Sequence, residues 1–528
     1  MKEPTSDYSS QQLRHLFYAL LIITSASTMV GRILSVESKS GKTAMLSAND
    51  RSRWCTIRSL VDHGTYEIDS VIKRKTDWYT IDMVRHKGDD GREHYYSSKP
   101  PLLPTLLAAE YWLMKNVLGA GLTDSPFYVT RTMLIVSNVL PLVLYFALLC
   151  CLVESLASSD WTKLFIMACA TWGTFLTTFA VTLNNHLPAA VSVLIAVYAA
   201  IEILHEGNKA IHWFVLAGLF SAFVVANELP GLALFVMLLA AFLWIAPWET
   251  AIGFVPAAAV VAIAFFVTTY IGHGSLRPPY AHRGDGDVLA SVSAAQREAV
   301  LHNEANEEFR NELSAAGIEL SVAATLAPTT TSGRWNLFDP ATEDRYVVWN
   351  TNNGFDIREW DHWYEYEGSY WTPESKKGVD KGEPSKAVYA FHTLLGHRGV
   401  FSLTPIWLLS FGGIAIWLTR GERSLQTFAL MVLTLTLVCV VFYTVLREEH
   451  DRNYGGVSCG FRWLFWFIPL WLICAIPAAD KIAASRFGRI TAYLMLAVSI
   501  VSATYASMNP WSHSWIFDYW SILEWIAY

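Results

Sequence analysis

Side chains able to do chemistry fall in a few short stretches of the 528 residues. Asp50 sits in Ser47-Ala48-Asn49-Asp50-Arg51-Ser52-Arg53-Trp54, where Leu46, Trp54, Ile57, Leu60 and Val61 trace one face of a surface helix. A carboxylate at a helix start is held ionised by terminal amides and neighbouring arginines. It is a candidate catalytic group, and its plainer alternative is a helix cap with a solvated ion pair. Lys99 lies in Tyr95-Tyr96-Ser97-Ser98-Lys99-Pro100-Pro101-Leu102, ahead of two prolines that fix the chain direction. An ammonium at headgroup depth is placed to hold a lipid phosphate, or it simply snorkels to the interface.

Four further points carry polar groups beside apolar runs. Asn185 and His186 form a tight turn in Leu183-Asn184-Asn185-His186-Leu187-Pro188, and Glu228 breaks the run Ala226-Asn227-Glu228-Leu229-Pro230-Gly231. Ionisable groups there are costly unless they face a cavity or a partner, although a turn also uses Asn and Pro for its own geometry. Arg462 closes Gly455-Gly456-Val457-Ser458-Cys459-Gly460-Phe461-Arg462, a glycine-rich entry to an apolar run that suits an anion. Arg398, in His397-Arg398-Gly399, is a similar candidate. The ring cluster Trp360, His362, Trp363, Tyr364 and Tyr366 reads either as a sugar-stacking surface or as a small core, with the core preferred.

The elements that must position these groups are membrane helices. The chain is 53% hydrophobic and only 16% charged, whereas soluble domains carry about a quarter charged residues. A net charge of −7 gives no basic surface for nucleic acid. Runs near the ~20 residues that a bilayer requires fall at about 16–34, 128–153, 163–182, 187–204, 212–227, 230–246, 251–271, 399–419, 426–446, 461–478 and 489–507. The expectation is an all-α polytopic membrane protein of about eleven spans. It has amphipathic surface helices in a first outer loop, 35–127, and a small mixed outer domain.

Basic residues in short loops orient the spans. Lys2, Arg14, Lys163, Lys209, Arg420, Arg423, Lys481, Arg486 and Arg489 fall on one side, and the opposite short turns carry none. The N terminus is therefore expected in the cytoplasm. Three regions follow: 1–271, a membrane module with the first outer loop; 272–398, the outer domain; and 399–528, the C-terminal helices with a tail bearing Trp511, Trp515, Trp520 and Trp525 along the interface. Cys55 and Cys459 fall in outer loops and could pair.

Across about 45–135 the text resembles the first outer loop of GT-C glycosyltransferases. The similar branch holds the aminoarabinose–lipid A transferases and the protein O-mannosyltransferases. The stretch Arg-x-x-Trp-x-x-Ile-Arg-Ser-Leu-Val-Asp-His-Gly-Thr-Tyr and the turn Tyr-Tyr-Ser-Ser-Lys-Pro-Pro-Leu-Leu-Pro carry the likeness, with Arg131 opening the next span. Where such enzymes often show two adjacent acids, this chain has Asn49-Asp50, so a divalent metal stays open and no metal ligands are assigned.

The resemblance implies transfer of a sugar from a polyprenyl-phosphate carrier to a lipid, polysaccharide or protein acceptor at the outer face of a membrane, expected to be a bacterial plasma membrane. It makes Asp50 the general base of an inverting single displacement. It sets Lys99 and Arg131 beside the donor phosphate; the residues' own chemistry adds Arg462 there, with Asn185, His186, Glu228 and Arg398 as substrate-binding candidates. Two rivals remain: a transporter or flippase of lipid-linked sugars, and a non-catalytic glycan-binding protein.

Overall fold

The structure is a computed structural model describing residues 5–329 and 331–526. Lys2 lies outside the described residues. Eight helices among them are long and apolar enough to cross a membrane: Ser10–Ser35, Pro126–Leu156, Asp160–Val181, His186–Leu204, Pro247–His273, Arg423–Leu446, Arg462–Ala483 and Arg486–Tyr505. The chain is an integral membrane protein.

The expected count of about eleven is not reached by length. Ile211–Asn227 and Leu229–Ile245 are shorter apolar helices, and Trp407–Arg420 has only 14 residues. At ~1.5 Å per residue that last helix rises about 21 Å, short of the ~30 Å hydrocarbon core. The run 399–419 is interrupted because the short turn Val400–Leu403 is followed by Pro405, which has no amide to continue the ladder.

One end of the helices is fastened by charge. Arg14 bonds Glu154 and Asp160, each at 2.6 Å, and Lys163 reaches Glu154 at 3.1 Å. Asp480 accepts the amides of Ser158 and Ser159 at this same end. The other end carries the loops.

Helix α1 (Thr5–Ser35) leads into the first loop, whose helix α2 (Ala48–Asp62) begins at Ser47. The stretch Met83–Lys87 (β1) pairs antiparallel with Glu93–Ser97 (β2) around an Asp-Asp-Gly turn, Gly91 taking φ 78°. This hairpin was not anticipated. Helix α3 (Leu102–Leu118) follows the two prolines, ends on Gly119 and leaves Leu106, Trp112, Leu113 and Val117 exposed, as a helix lying on a membrane surface would.

The outer domain is a five-stranded antiparallel sheet in the order β3 (Arg283–Ser293), β7 (Gly354–His362), β6 (Asp344–Thr351), β5 (Arg334–Asp339), β4 (Thr325–Pro328). Two short helices, Arg297–Leu301 and Glu307–Ala315, belong to the same domain. They cover a core that includes Val300, Phe309, Leu337, Val348 and Ile357. The domain is tied to the first loop by backbone: Arg85 N donates to Trp363 O at 2.9 Å, and the Trp371 indole donates to Ile81 O at 2.8 Å. Trp363 and Tyr364 pack with Val84 and Tyr96 in that joint, so the aromatic group is mainly core.

The cysteines are free, Cys55 and Cys459 included, and both of these are buried. The tail does more than lie along a surface. Trp515 donates to Ser502 at 2.8 Å, and Trp511 turns inward to a cavity.

Candidate active site at the loop-bearing end of the helices

A cavity of about 670 Å³ opens where α2, the residues flanking the β1–β2 hairpin, the turns at 185 and 228, the outer domain and the glycine loop before Arg462 meet. Each wall is placed by ordinary local chemistry. Ser47 caps α2 by accepting the Asp50 amide, and the Asp50 carboxylate returns the bond to the Ser47 amide at 2.9 Å, a complete capping box. One turn later Arg53 donates to the Asn49 side chain at 2.5 Å and to the Asn185 side-chain oxygen at 2.7 Å. The α2 cap and the turn at 185 are thereby locked together.

The hairpin register brings Asp82 beside Lys99. Met83 faces Ser97, and one step further the Ser98 amide donates to Asp82 O at 3.2 Å. Ser52 also donates to that carbonyl, at 2.5 Å. The Lys99 ammonium then meets the Asp82 carboxylate at 2.8 Å, with both side chains on the cavity.

On the opposite wall Asn185 donates to Glu228 at 2.7 Å, and His186 Nδ1 also meets that carboxylate. Arg462 donates to His186 Nε2 at 2.8 Å. A guanidinium only donates, so Nε2 accepts, and the ring proton sits on Nδ1, donated to Glu228. Arg462 also donates to Gly455 O at 2.8 Å. Gly455 and Gly456 take φ near 78°, which a side chain would strain, and this turn aims the carbonyl at the guanidinium. The Trp511 ring lies 5.0 Å from the Arg462 guanidinium carbon.

Three cations therefore crowd one region. Burial, then Arg462, pulls Arg53 down to about 10, against the pull of Asp82. Burial also pulls Lys99 down; Asp82 opposes this, while Arg53 and Arg462 add to it. Arg53 is 3% exposed, yet its partners here are amide oxygens, and neither it nor Arg462 forms a salt bridge among the described residues. Buried guanidinium groups without a counter-ion are expensive unless an anion arrives to bond them.

Of the residues expected from sequence, Lys99, Arg462, Asn185, His186 and Glu228 line this one cavity. Asp50, Arg131 and Arg398 do not. The Asp50 carboxylate is fully buried and takes donors from Leu46 N, Ser47 N, Ser47 Oγ, Arg51 N and Thr182 Oγ1. Five donors fill the roughly four lone-pair sites of a carboxylate, leaving none for an incoming nucleophile. Burial pushes its pKa up, and the backbone amides and Thr182 oppose that. It is placed as a cap.

Arg131 donates to Phe127 O at 2.9 Å and to the carbonyls of Leu34 and Val36, satisfying the end of α1. Arg398 donates to Gly456 O at 2.8 Å and Ser458 O at 2.7 Å, bracing the glycine loop from behind.

The lining residues not singled out as binding candidates are Asp82, Arg53 and Asn49, with Arg283, Trp371 and Asp380 from the outer domain, Arg447 beyond it and Trp511 from the tail; Tyr364, from the aromatic group, also lines the cavity. Asp82 had a readable signal: alternating residues on both sides of Gly88-Asp89-Asp90-Gly91 predict a hairpin, and its register puts Asp82 next to Lys99. Asp380 takes bonds from the Tyr370 hydroxyl at 2.9 Å and from Asn453 at 3.1 Å, and burial raises its pKa. Among the described residues, no three His, Cys, Asp or Glu side chains gather as a metal ion would require.

No family model matches the chain, and no curated protein matches it. Solved structures do resemble it. The Archaeoglobus fulgidus oligosaccharyltransferase in its apo form is 12% identical, with a TM-score of 0.42 over 96% of this chain and 57% of its own. Oligosaccharyltransferase AglB of the same organism, in complex with an inhibitory peptide and a dolichol-phosphate, is 11% identical, with a TM-score of 0.41 over 94% and 56%. The S. cerevisiae protein O-mannosyltransferase Pmt1-Pmt2 complex bound to the sugar donor is 11% identical, with a TM-score of 0.40 over 97% and 92%. The chain spans a little over half the length of the first two. TM-scores below one half leave the function of this chain to its own residues.

Proposed function

We propose that the protein transfers a sugar from a polyprenyl-phosphate-linked donor to an acceptor at the loop-bearing face of a membrane. The observation that carries this reading is the trio Arg53, Lys99 and Arg462 around a cavity at the helix ends, two of them lacking an acidic partner. A phosphate at headgroup level supplies the missing counter-ion. Leu103, Val225, Leu229 and Pro230 form an apolar part of the same wall, and Leu229 is 53% exposed. That is where an isoprenoid tail leaves for the bilayer.

Asp82 replaces Asp50 as the general base in this reading. The acceptor hydroxyl oxygen attacks the anomeric carbon, the bond from that carbon to the phosphate oxygen breaks, and the hydroxyl proton passes to Asp82. The phosphate stays on the polyprenyl chain. As Asp82 gains the proton its hold on Lys99 weakens, and the ammonium charge turns to the departing phosphate just as negative charge builds there. Arg53 and Arg462 hold the other phosphate oxygens. Glu228, through His186, fixes Arg462 in place. Asp380, Trp371 and Tyr364 form the outer-domain wall of the cavity, and the acceptor enters along it.

The test is transfer from a labelled polyprenyl-phosphate sugar in membranes of a deletion strain complemented with variants. Asp82→Asn should keep donor binding and lose transfer. Undiminished transfer by Asp82→Asn would remove it from the mechanism.

A further inference from the structure

At the end of the helices away from the cavity, a cleft of about 710 Å³ runs between Trp407–Arg420 and the turn joining Ile468–Ala483 to Arg486–Tyr505. Its wall along the first helix is Leu408, Gly412, Ala415 and Ile416, and it closes at Arg420 and Lys481. From Leu408 to Arg420 the helix rises about 18 Å over twelve residues at ~1.5 Å each. That is close to one leaflet's share of the ~30 Å hydrocarbon core. The cleft thus has the length of an acyl chain and ends in positive charge at headgroup depth.

No acid lines it, and the acids nearest in sequence are engaged elsewhere. Asp480 takes the amides of Ser158 and Ser159, and Glu422 lies 3.8 Å from His205. Arg420 and Lys481 are exposed and form no salt bridge among the described residues. A purely apolar groove would accept any membrane lipid. Two unneutralised cations at its mouth select a lipid whose phosphate carries an uncompensated charge.

We propose that this cleft binds one anionic phospholipid, with an acyl chain along Leu408–Ile416 and the phosphate between Arg420 and Lys481. The site is independent of the transfer reaction and lies at the opposite end of the molecule. Basic residues that merely orient the protein would be interchangeable; in this site two of them are special. Arg423 and Arg489 belong to the same end but do not line the cleft, so they serve as the internal control. Gly412 supplies a charge-free probe, because a Cβ there meets Ala478 at an ordinary 3.5 Å while a longer side chain reaches into the cleft.

The experiment is native mass spectrometry and thermal unfolding of the purified full chain in detergent, titrated with phosphatidylglycerol or phosphatidylcholine. Phosphatidylglycerol should stay bound one to one and raise the melting temperature, and phosphatidylcholine should not. At about five-fold per cation, Arg420→Gln with Lys481→Gln should weaken phosphatidylglycerol roughly 30-fold. Arg423→Gln with Arg489→Gln should leave binding unchanged, and Gly412→Leu should expel the lipid with every charge in place. Equal effects of the two charge pairs, equal binding of the two lipids, or full binding by Gly412→Leu would each overturn the site.

Discussion

Asp82 and Lys99 meet at 2.8 Å across the open end of the β1–β2 pairing, away from its turn, both facing the cavity. The pair joins the group that takes a proton to a group that holds an anion. Asp82→Asn should lower transfer by about 10²- to 10⁴-fold, the usual worth of a positioned base. Affinity for the lipid-phosphate donor should hold or improve, because Lys99 is released from its carboxylate. A carrier of lipid-linked sugars has no proton to abstract, so transport surviving in Asp82→Asn alongside absent transfer in the wild type would favour the transporter rival.

Arg53 and Arg462 are cations in search of an anion. Arg53→Gln and Arg462→Gln should each weaken binding of a polyprenyl phosphate by about 1.5–3 kcal/mol, the worth of a hydrogen bond to a charged group. Without ligand, Arg53→Gln should melt no lower than wild type, because a buried charge lacking a counter-ion is removed. Calorimetric titration and thermal unfolding read the two effects separately. A large drop in melting temperature without loss of binding would make Arg53 structural.

Asp50 is the opposite case. Asp50→Ala removes the carboxylate of the capping box and strands the Leu46 and Ser47 amides, so stability should fall by about 1–3 kcal/mol. The loss also frees Thr182, which donates to Asp50 at 2.8 Å and accepts from the Trp511 indole at 3.0 Å. Asp50→Asn keeps one acceptor oxygen and should retain most transfer per folded molecule. Denaturation midpoints together with specific activity distinguish this from a base role, in which folding stays normal and activity vanishes.

Much of this arrangement was legible in the residues. Hydropathy located the helices, the Ser47–Asp50 spacing announced the α2 cap, and the two prolines located α3. The turns at 185 and 228 could be singled out because charge beside apolar runs is rare without a purpose. The choice between cap and catalyst at Asp50 could not be made locally. It depends on Thr182, 132 positions away, which takes up the last lone pair. Asp82 escaped notice because its place beside Lys99 comes from strand register, and at Arg131 a helix end and a phosphate ask the same thing of a guanidinium. Trp511 could not be read at all, since tertiary folding of the tail puts it under Arg462.

Glu110 gives a prediction in pH. It lies on α3, outside the spans; burial pushes its pKa up to about 7, and its Oε1 has no hydrogen-bond partner among the described residues. Its folded pKa lies above the ~4.3 of an unfolded glutamate, so the native state binds the extra proton between those values. Stability from this group is therefore highest near pH 4, declines as pH rises toward 7, and is flat above. Glu110→Gln should raise the melting temperature at pH 8 and change it little at pH 4. An equal gain at both would show that charge at position 110 is not the cause.

The most direct test is a cryo-electron microscopy structure of the purified protein saturated with a polyprenyl phosphate. Phosphate density within ion-pair distance of Arg53, Lys99 and Arg462, with the tail leaving past Leu103 and Leu229, is the predicted result. A phosphate bound away from those three side chains, or a cavity that stays empty at saturation, would contradict it.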